Sequence, residues 1–537
     1  MKLIKIAIVI SLLSSCRVAS VSKNKYDPTG VDMTPVDGGI YVDASIGDAS
    51  MLNPLLSTDS SSNDINSVVF NGLLKYNKDL KLVPDLAESF NVTEEGRVVT
   101  FQLRKNVLWH DGQPLTADDA MFTYQMLISS STRTPFGADY QLVQKAEVLG
   151  PHTFRIRYAK PFAPALESWA MSLIPKHIFE GHDINTHPAN RAPIGTGPYM
   201  FKEWVPDEKI VLVPNPNYFD GKPHFSRFIY RIIPDLSIQF LELRQGTLTT
   251  MAPTPDQYNG YDEFFIHYNK FKYPGFRYDY MAFNLRNELF KDLRVRQAFA
   301  HAIDKRDIVD GVYEGYAVPA TGPFPPVSWA FNPNVPQIPY DVEKAKALLA
   351  EAGWKDSDGD GILDKNRKAF EFTVITNQGN KVRESIAQIM QSQLGKVGVK
   401  MNIRIIEWSV FLHKFVDQGE FEAVILGWNL AIDPDPYPMW HSGQENKKYN
   451  FVGYKNPEVD RLLDKGRATF DIAERTRVYH KLHELIAADI PYVFLVYPER
   501  LPVVHKAVAN VELAPAGIGW NMDKWFIPKS WQEGFAL

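Results

Sequence analysis

Stretches 98–104 (VVTFQLR) and 152–158 (HTFRIRY) alternate apolar and polar residues with period two, the mark of a strand with one buried face. Stretches 208–213 and 228–233 read as further strands. Thr116, followed by Asp118 and Asp119, caps a helix running through Phe122 and Met126. Another helix spans 341–352: Asp341 caps it, Val342, Ala345, Leu348, Leu349 and Ala352 form one stripe, and Gly353 ends it.

The pattern is densest from 370 to 428. A buried strand at 372–376 (FTVIT) leads into a helix at 381–394 with Ile386, Ile389, Met390 and Leu394 on one face, ended by Gly398. A strand at 401–406, a short helix around 410–416 and a strand at 421–426 follow. This β-α-β-α-β order closes as a parallel sheet with right-handed crossovers, and such sheets bind ligands beyond the carboxyl ends of their strands. Two of those ends carry Glu407-Trp408 and Gly427-Trp428-Asn429. Trp408 and Trp428 are therefore candidate walls of a crevice; the alternative is that both are core residues.

The chain has 537 residues, which predicts three to four core units at ~150 residues each. With 45% hydrophobic and 23% charged residues, disorder is excluded for the bulk of it. The net charge of -5 argues against a nucleic-acid partner. The single cysteine, Cys16, rules out an intrachain disulfide framework and a cysteine-built metal site. No apolar run approaches the ~20 residues of a membrane-spanning helix.

Cys16 sits where it changes the picture. Lys2 and Lys5, an apolar run at 6–13 and Leu13-Ser14-Ser15-Cys16 describe a secretory signal peptide over 1–16 whose end resembles the bacterial lipobox, with Cys16 as the lipid-attachment residue. Several acyl chains anchor stably, each buried CH₂ contributing ~0.8 kcal/mol. Residues 17–38 are polar, contain Pro28, Gly30, Pro35 and Gly38, and read as a flexible tether. The mature protein is thus expected in the periplasm or on the outer face of the cell membrane, lipid-anchored.

Asp356, Asp358, Asp360 and Asp364, with Gly361, match the first three quarters of an EF-hand loop, a candidate for structural calcium. Arg367 stands where the bidentate Glu belongs, and the alternative is a solvent loop of Asx turns. His177, His182 and His187, and separately His480 and His483, lack metal-site spacing or a third ligand. There is no Gly-x-Ser-x-Gly elbow, Walker loop or dinucleotide loop, and Cys16 is assigned to lipid. No catalytic residue, and no cofactor other than the calcium candidate, is expected.

Motifs spread along nearly the whole mature chain complete the reading. They include Leu52-Asn53-Pro54, 69–74 (VFNGLL), 82–87 (LVPDLA), Trp109-His110-Asp111-Gly112, 115–119 (LTADD), 195–199 (GTGPY), 295–298 (VRQA) and 456–460 (NPEVD). In this order and spacing the chain resembles the extracellular solute-binding proteins of family 5, the oligopeptide, dipeptide and nickel group that feeds ABC importers.

The resemblance implies an α/β, two-lobed periplasmic-binding-protein type II fold of the large family 5 variety, with interrupted domains and an inserted third domain. Lobe I would be 39–77, 193–275 and 490–537; the inserted domain 78–192; lobe II 276–489. It also implies cleft closure on a peptide ligand, delivered to the permease subunits of an ABC importer by a monomeric receptor. Carried over by position, Thr58 and Ser60 would bind ligand from lobe I, and Trp408, Gly427, Trp428 and Asn429 from lobe II. Gly427 would let the ligand backbone approach closely.

The sequence departs from peptide-binding relatives at both charge clamps. Ala431 stands where they place an Asp for the peptide ammonium, leaving Asp433 as the substitute, and Ile425 stands where some carry a basic residue. A longer peptide held by its backbone fits this pattern better than a dipeptide. Nickel complexes and oligosaccharides are rivals within the fold; a secreted hydrolase and a structural surface lipoprotein are rivals outside it.

Overall fold

In the computed structural model, which describes residues 26–445 and 449–533, the period-two segments are strands. Val98–Leu103 and Thr153–Tyr158 pair antiparallel at the centre of a four-stranded sheet completed by Ala87–Thr93 and Val143–Gly150. Their alternation buries Val99, Phe101, Phe154 and Ile156 in one core with Ala120 and Phe122 of the helix Ala117–Ile128. Thr116 starts that helix as expected, its N–H donating to Asp119 Oδ2 at 2.9 Å.

A second sheet has Ile40–Ser45 parallel to Arg227–Ile232, followed antiparallel by Lys209–Pro214 and Tyr199–Val205. Its core joins Tyr41, Leu52, Ile65, Tyr199, Leu212, Phe228, Val504 and Ile527, so three distant stretches of chain build one lobe. A small sheet of Thr250–Met251, Val503–His505 and Tyr268–Lys270 extends it.

The other lobe is organised by the parallel strands read from 370–428. Glu371–Asn377 lies between Lys400–Ile406 and Ala423–Asn429, parallel to both. The helix Lys381–Gly395 crosses between the first two and buries Ile386, Met390 and Leu394 against Val374 and Met401. Arg277–Phe283 pairs antiparallel with the whole of Ala423–Asn429, which extends that strand past the expected end at 426 and places Gly427 and Trp428 inside it.

Two expected boundaries shift. Tyr492–Arg500 belongs to this second lobe, not to the first: it is wedged between Arg277–Phe283 and Ala317–Pro319, and the residues from Tyr492 to Pro498 are all buried. The chain rejoins the first lobe at Val503. Tyr273 and Pro274 pair with Arg500 and Glu499 where the chain passes between lobes.

Cys16, the signal peptide and tether residues 17–25 lie outside the described residues. From Tyr26 onward the chain is docked, contrary to a free tether. The Tyr26 ring is buried edge-on against His505 and Trp531, at centroid distances of 4.7 and 5.5 Å, and Asp37 pairs with Lys222 at 2.5 Å. One large aromatic in an otherwise polar segment is enough to pin it.

Candidate functional site

A cavity of about 680 Å³ lies between the two lobes. All seven residues proposed from the sequence line it: Thr58, Ser60, Trp408, Gly427, Trp428, Asn429 and Asp433.

The first lobe contributes the start of the helix Ser60–Val69. Asp59 caps this helix, accepting from the Ser62 N–H at 2.8 Å, and its other oxygen accepts from the Ser50 and Ser62 hydroxyls at 2.5 and 2.7 Å. With Asp59 committed to its own turn, Thr58 and Ser60 present their groups to the cavity.

The second lobe contributes the carboxyl edge of its parallel strands. Glu407 caps the turn Trp408–Val410, accepting from the Ser409 and Val410 N–H groups at 2.8 and 2.9 Å. Half-buried Trp408 stacks on Phe411 at 6.1 Å and spans to the first lobe: a Cβ at Gly47 would sit 2.2 Å from its Cδ1. Its indole N–H is buried without a partner. Trp428, also half-buried, meets Tyr449 edge-on at 5.5 Å and directs its N–H toward the Tyr492 hydroxyl at 3.5 Å. Both tryptophans pack on core neighbours and face the cavity, so the two alternatives of the sequence reading are joined.

Two expected roles are revised. Gly427 is reserved for a protein group, since a Cβ there would lie 2.1 Å from Asp279 Oδ1 on the neighbouring strand. Asp279 is 1% exposed and is held by Arg277, at 2.8 Å to Oδ1, and by the Tyr313 hydroxyl. Gly427→Ala is therefore expected to displace this ion pair and cost ~1–3 kcal/mol, as overpacking does, measurable as a lower denaturation midpoint.

Asp433, the expected partner of a cationic ligand end, has both oxygens taken by Arg475 at 2.6 and 2.8 Å. The guanidinium comes from a helix 42 residues away, Ile472–Asp489, which no local pattern around Asp433 reveals.

Around this pair the cavity is acidic. Asp435 is pushed up to about 7 by burial and by Asp433, and Glu167 is pushed up to about 8 for the same reasons. Glu167 belongs to the inserted unit, which touches the second lobe here. The Ala163 N–H donates to the Arg467 carbonyl at 2.7 Å, Arg467 pairs with Asp139, and Phe136 meets Tyr449 at 6.1 Å.

A carboxyl raised in the folded state binds its proton more tightly there than in the unfolded chain. Its contribution is complete below the unfolded value of 4.5 and is lost as pH rises toward about 8. Stability measured by urea denaturation is expected to fall between pH 5 and pH 8, with a shallower slope in Glu167→Gln.

Sequence reasoning missed Arg277, Arg383, Arg500, Asp64 and Phe136, which also line the cavity. Arg383 was within reach: its helix starts at the carboxyl end of Glu371–Asn377, the same edge that marks Trp408.

The Asp-rich loop brings Asp356, Asp358 and Asp360 within 4.8 Å of one another, all exposed. Asp356 accepts from the Gly359 and Gly361 N–H groups at 2.7 and 3.1 Å, and Asp358 and Asp360 accept from the N–H two residues on, at 3.3 and 2.8 Å, as in Asx turns. The expected fourth ligand, Asp364, instead binds the N–H and hydroxyl of Ser357 at 2.8 and 2.5 Å. Three carboxylates offer at most six oxygens, so backbone carbonyls or water would have to complete the six to eight that calcium takes. His483, set aside as a metal ligand, is a core residue whose Nδ1 accepts from the Asn332 N–H at 3.1 Å.

The model of the bacterial extracellular solute-binding proteins, family 5 (middle), matches residues 81–450. The chain belongs to this family. It is 36% identical over 509 residues to the oligopeptide-binding protein AppA of Bacillus subtilis (strain 168), covering 92% of this chain and 93% of that one. The structure of AppA from Bacillus subtilis in complex with a nonapeptide superposes with a TM-score of 0.89 at 35% identity, covering 92% of this chain and all of the other. The structure of NikZ from Campylobacter jejuni in complex with Ni(L-His) gives a TM-score of 0.83 at 29% identity, covering 91% and 99%.

As a family 5 member the chain has the two-lobed α/β fold and is a bacterial extracellular solute-binding protein. Among the described residues no helix is long and apolar enough to cross a membrane.

Proposed function

We propose that this protein captures oligopeptides between its lobes and hands them, chemically unaltered, to the permease of an ABC importer. The reading rests above all on the cavity between the lobes, where the Thr58–Ser60 turn faces the strand Ala423–Asn429 between two tryptophans. Main-chain groups on both sides suit an extended peptide, because strand addition uses the ligand backbone and tolerates many side chains. Water bridges adapt the remaining space at modest cost. Similarity to AppA, whose structure holds a nonapeptide, supports peptide over the other solutes of this fold.

The anchor belongs to the same reading. Acylated Cys16 holds a monomeric receptor at the membrane surface, and the segment before Tyr26 sets its reach. Titration calorimetry against peptide mixtures of two to nine residues tests the ligand class: heat release with the longer mixtures is expected. Heat with a nickel–histidine complex or an oligosaccharide alone, or a cleaved peptide after incubation, would reject it.

A further inference from the structure

A second cavity, of about 590 Å³, lies within the second lobe and shares no lining residue with the one between the lobes. It exists because a strand stops short. Ala317–Pro319 pairs with Tyr492–Arg500 only from Val496 to Pro498, and the Ala320 N–H adds one bond to the Leu495 carbonyl. Alongside Tyr492, Val493 and Phe494 no described strand continues that edge, and the cavity occupies the gap. The helices Leu293–Ala302, Val342–Glu351 and Ile472–Asp489 and the segment 334–338 enclose it.

The walls are aliphatic: Ala300, Val335, Leu348, Ile490 and Val493 are buried and line it. Among them stands Lys305, 8% exposed. Its ammonium donates to the Ala320 carbonyl at 2.6 Å, beside Thr321 on the same wall. That is its one hydrogen bond among the described residues, for a group with three donors, and it enters no salt bridge there. Burial, with no carboxylate offsetting it, pushes Lys305 down to about 8, so it stays mostly protonated at neutral pH. Glu484 is the one carboxylate lining the cavity among the described residues, and its oxygens are taken by Asn332 at 3.1 Å and Lys481 at 2.8 Å. The other two ionisable groups there add no negative charge: exposed Lys344, and His301, whose Nδ1 faces the Pro339 carbonyl at 2.9 Å.

A buried cation without a counter-charge is costly, and each of its idle N–H groups forfeits a hydrogen bond. Water can serve the N–H groups but leaves the aliphatic walls wet. A molecule that carries an anion at one end and hydrocarbon along the rest answers both, and the volume is that of a small-molecule site, ~300–1,000 Å³.

We propose that this cavity is a second ligand site, taking a small aliphatic monocarboxylate whose carboxylate pairs with Lys305 and whose chain lies along Ala300, Leu348 and Val493. The site is independent of peptide capture between the lobes and stands or falls without it. An ammonium–carboxylate contact screened from solvent is a charge-assisted hydrogen bond, stronger than the carbonyl contact Lys305 makes by itself.

Equilibrium dialysis of the whole protein against octanoate, octanol and acetate tests this. Octanoate is expected to bind at least tenfold more tightly than octanol, which lacks the charge, and acetate, which lacks the chain, is expected not to bind detectably. In Lys305→Met the preference for octanoate over octanol should shrink to within twofold. Ala487→Phe fills the cavity from a half-buried helix position and leaves Lys305 in place; it should abolish octanoate binding, and it carries the test if the first variant folds poorly. Equal affinity for octanoate and octanol, no binding of octanoate, or octanoate binding unchanged in Ala487→Phe would each overturn the site.

Discussion

Replacing both Trp408 and Trp428 by alanine is expected to abolish detectable peptide capture while leaving a folded protein. Each indole is half-buried, with one face on protein aromatics and the rest on the cavity. Large aromatic walls in a desolvated pocket carry ~2 kcal/mol or more of binding each, so a single change should weaken affinity ~30-fold and the pair far more. The single variants should separate in a second respect. Trp408 also bears on Gly47 of the opposite lobe, so its loss removes a contact made only when the lobes are together. Trp428 meets the rings of Tyr280, Tyr449 and Phe451 and points its N–H toward Tyr492, all in its own lobe, so its loss should act on the peptide rather than on closure. Calorimetric affinity and closure followed by scattering distinguish the two.

The second large effect falls on stability. Arg475→Met is expected to destabilise the protein by ~3–5 kcal/mol at pH 8, because it strands Asp433 and leaves a buried carboxylate cluster without one of its two cations. The side chains of Arg475 and Asp433 are 6% and 16% exposed, so solvent screens the pair little. The same variant should lose less at pH 5, where Asp435 and Glu167, raised to about 7 and about 8, hold protons in the folded state. Urea denaturation at both values measures the difference; an equal loss at pH 5 and pH 8 would contradict the assigned charges.

The sequence made the scaffold of the site legible because local periodicity and chain connectivity determine it. Strand 371–377, helix 381–395 and strand 400–406 follow from apolar spacing, and their order alone dictates a parallel arrangement with Trp408 and Trp428 at one edge. What stayed hidden depends on partners far along the chain. Nothing near Gly427 announces that Asp279 occupies the space a side chain would need. Nothing near Asp433 announces Arg475, and with that guanidinium the apparent ligand clamp becomes an internal ion pair. Tyr492–Arg500 was misplaced because a strand buried on both faces carries no alternation to show which sheet receives it. The arginines that line the cavity, Arg277, Arg383 and Arg500, were missed because each belongs to a different element and only the closed fold gathers them.

These features share one physical logic. The second lobe supplies aromatic surface and an unbalanced set of charges, the first supplies a capped helix start, and the inserted unit closes the acidic end through Asp139, Ala163 and Glu167. A ligand favours the closed arrangement only to the extent that it contacts both sides better than water does. Small-angle scattering of the protein with and without a nonapeptide pool tests this most directly. The radius of gyration is predicted to fall on adding the pool and to stay unchanged in Trp408→Ala/Trp428→Ala. Superimposable profiles with and without every peptide pool would contradict capture by closure.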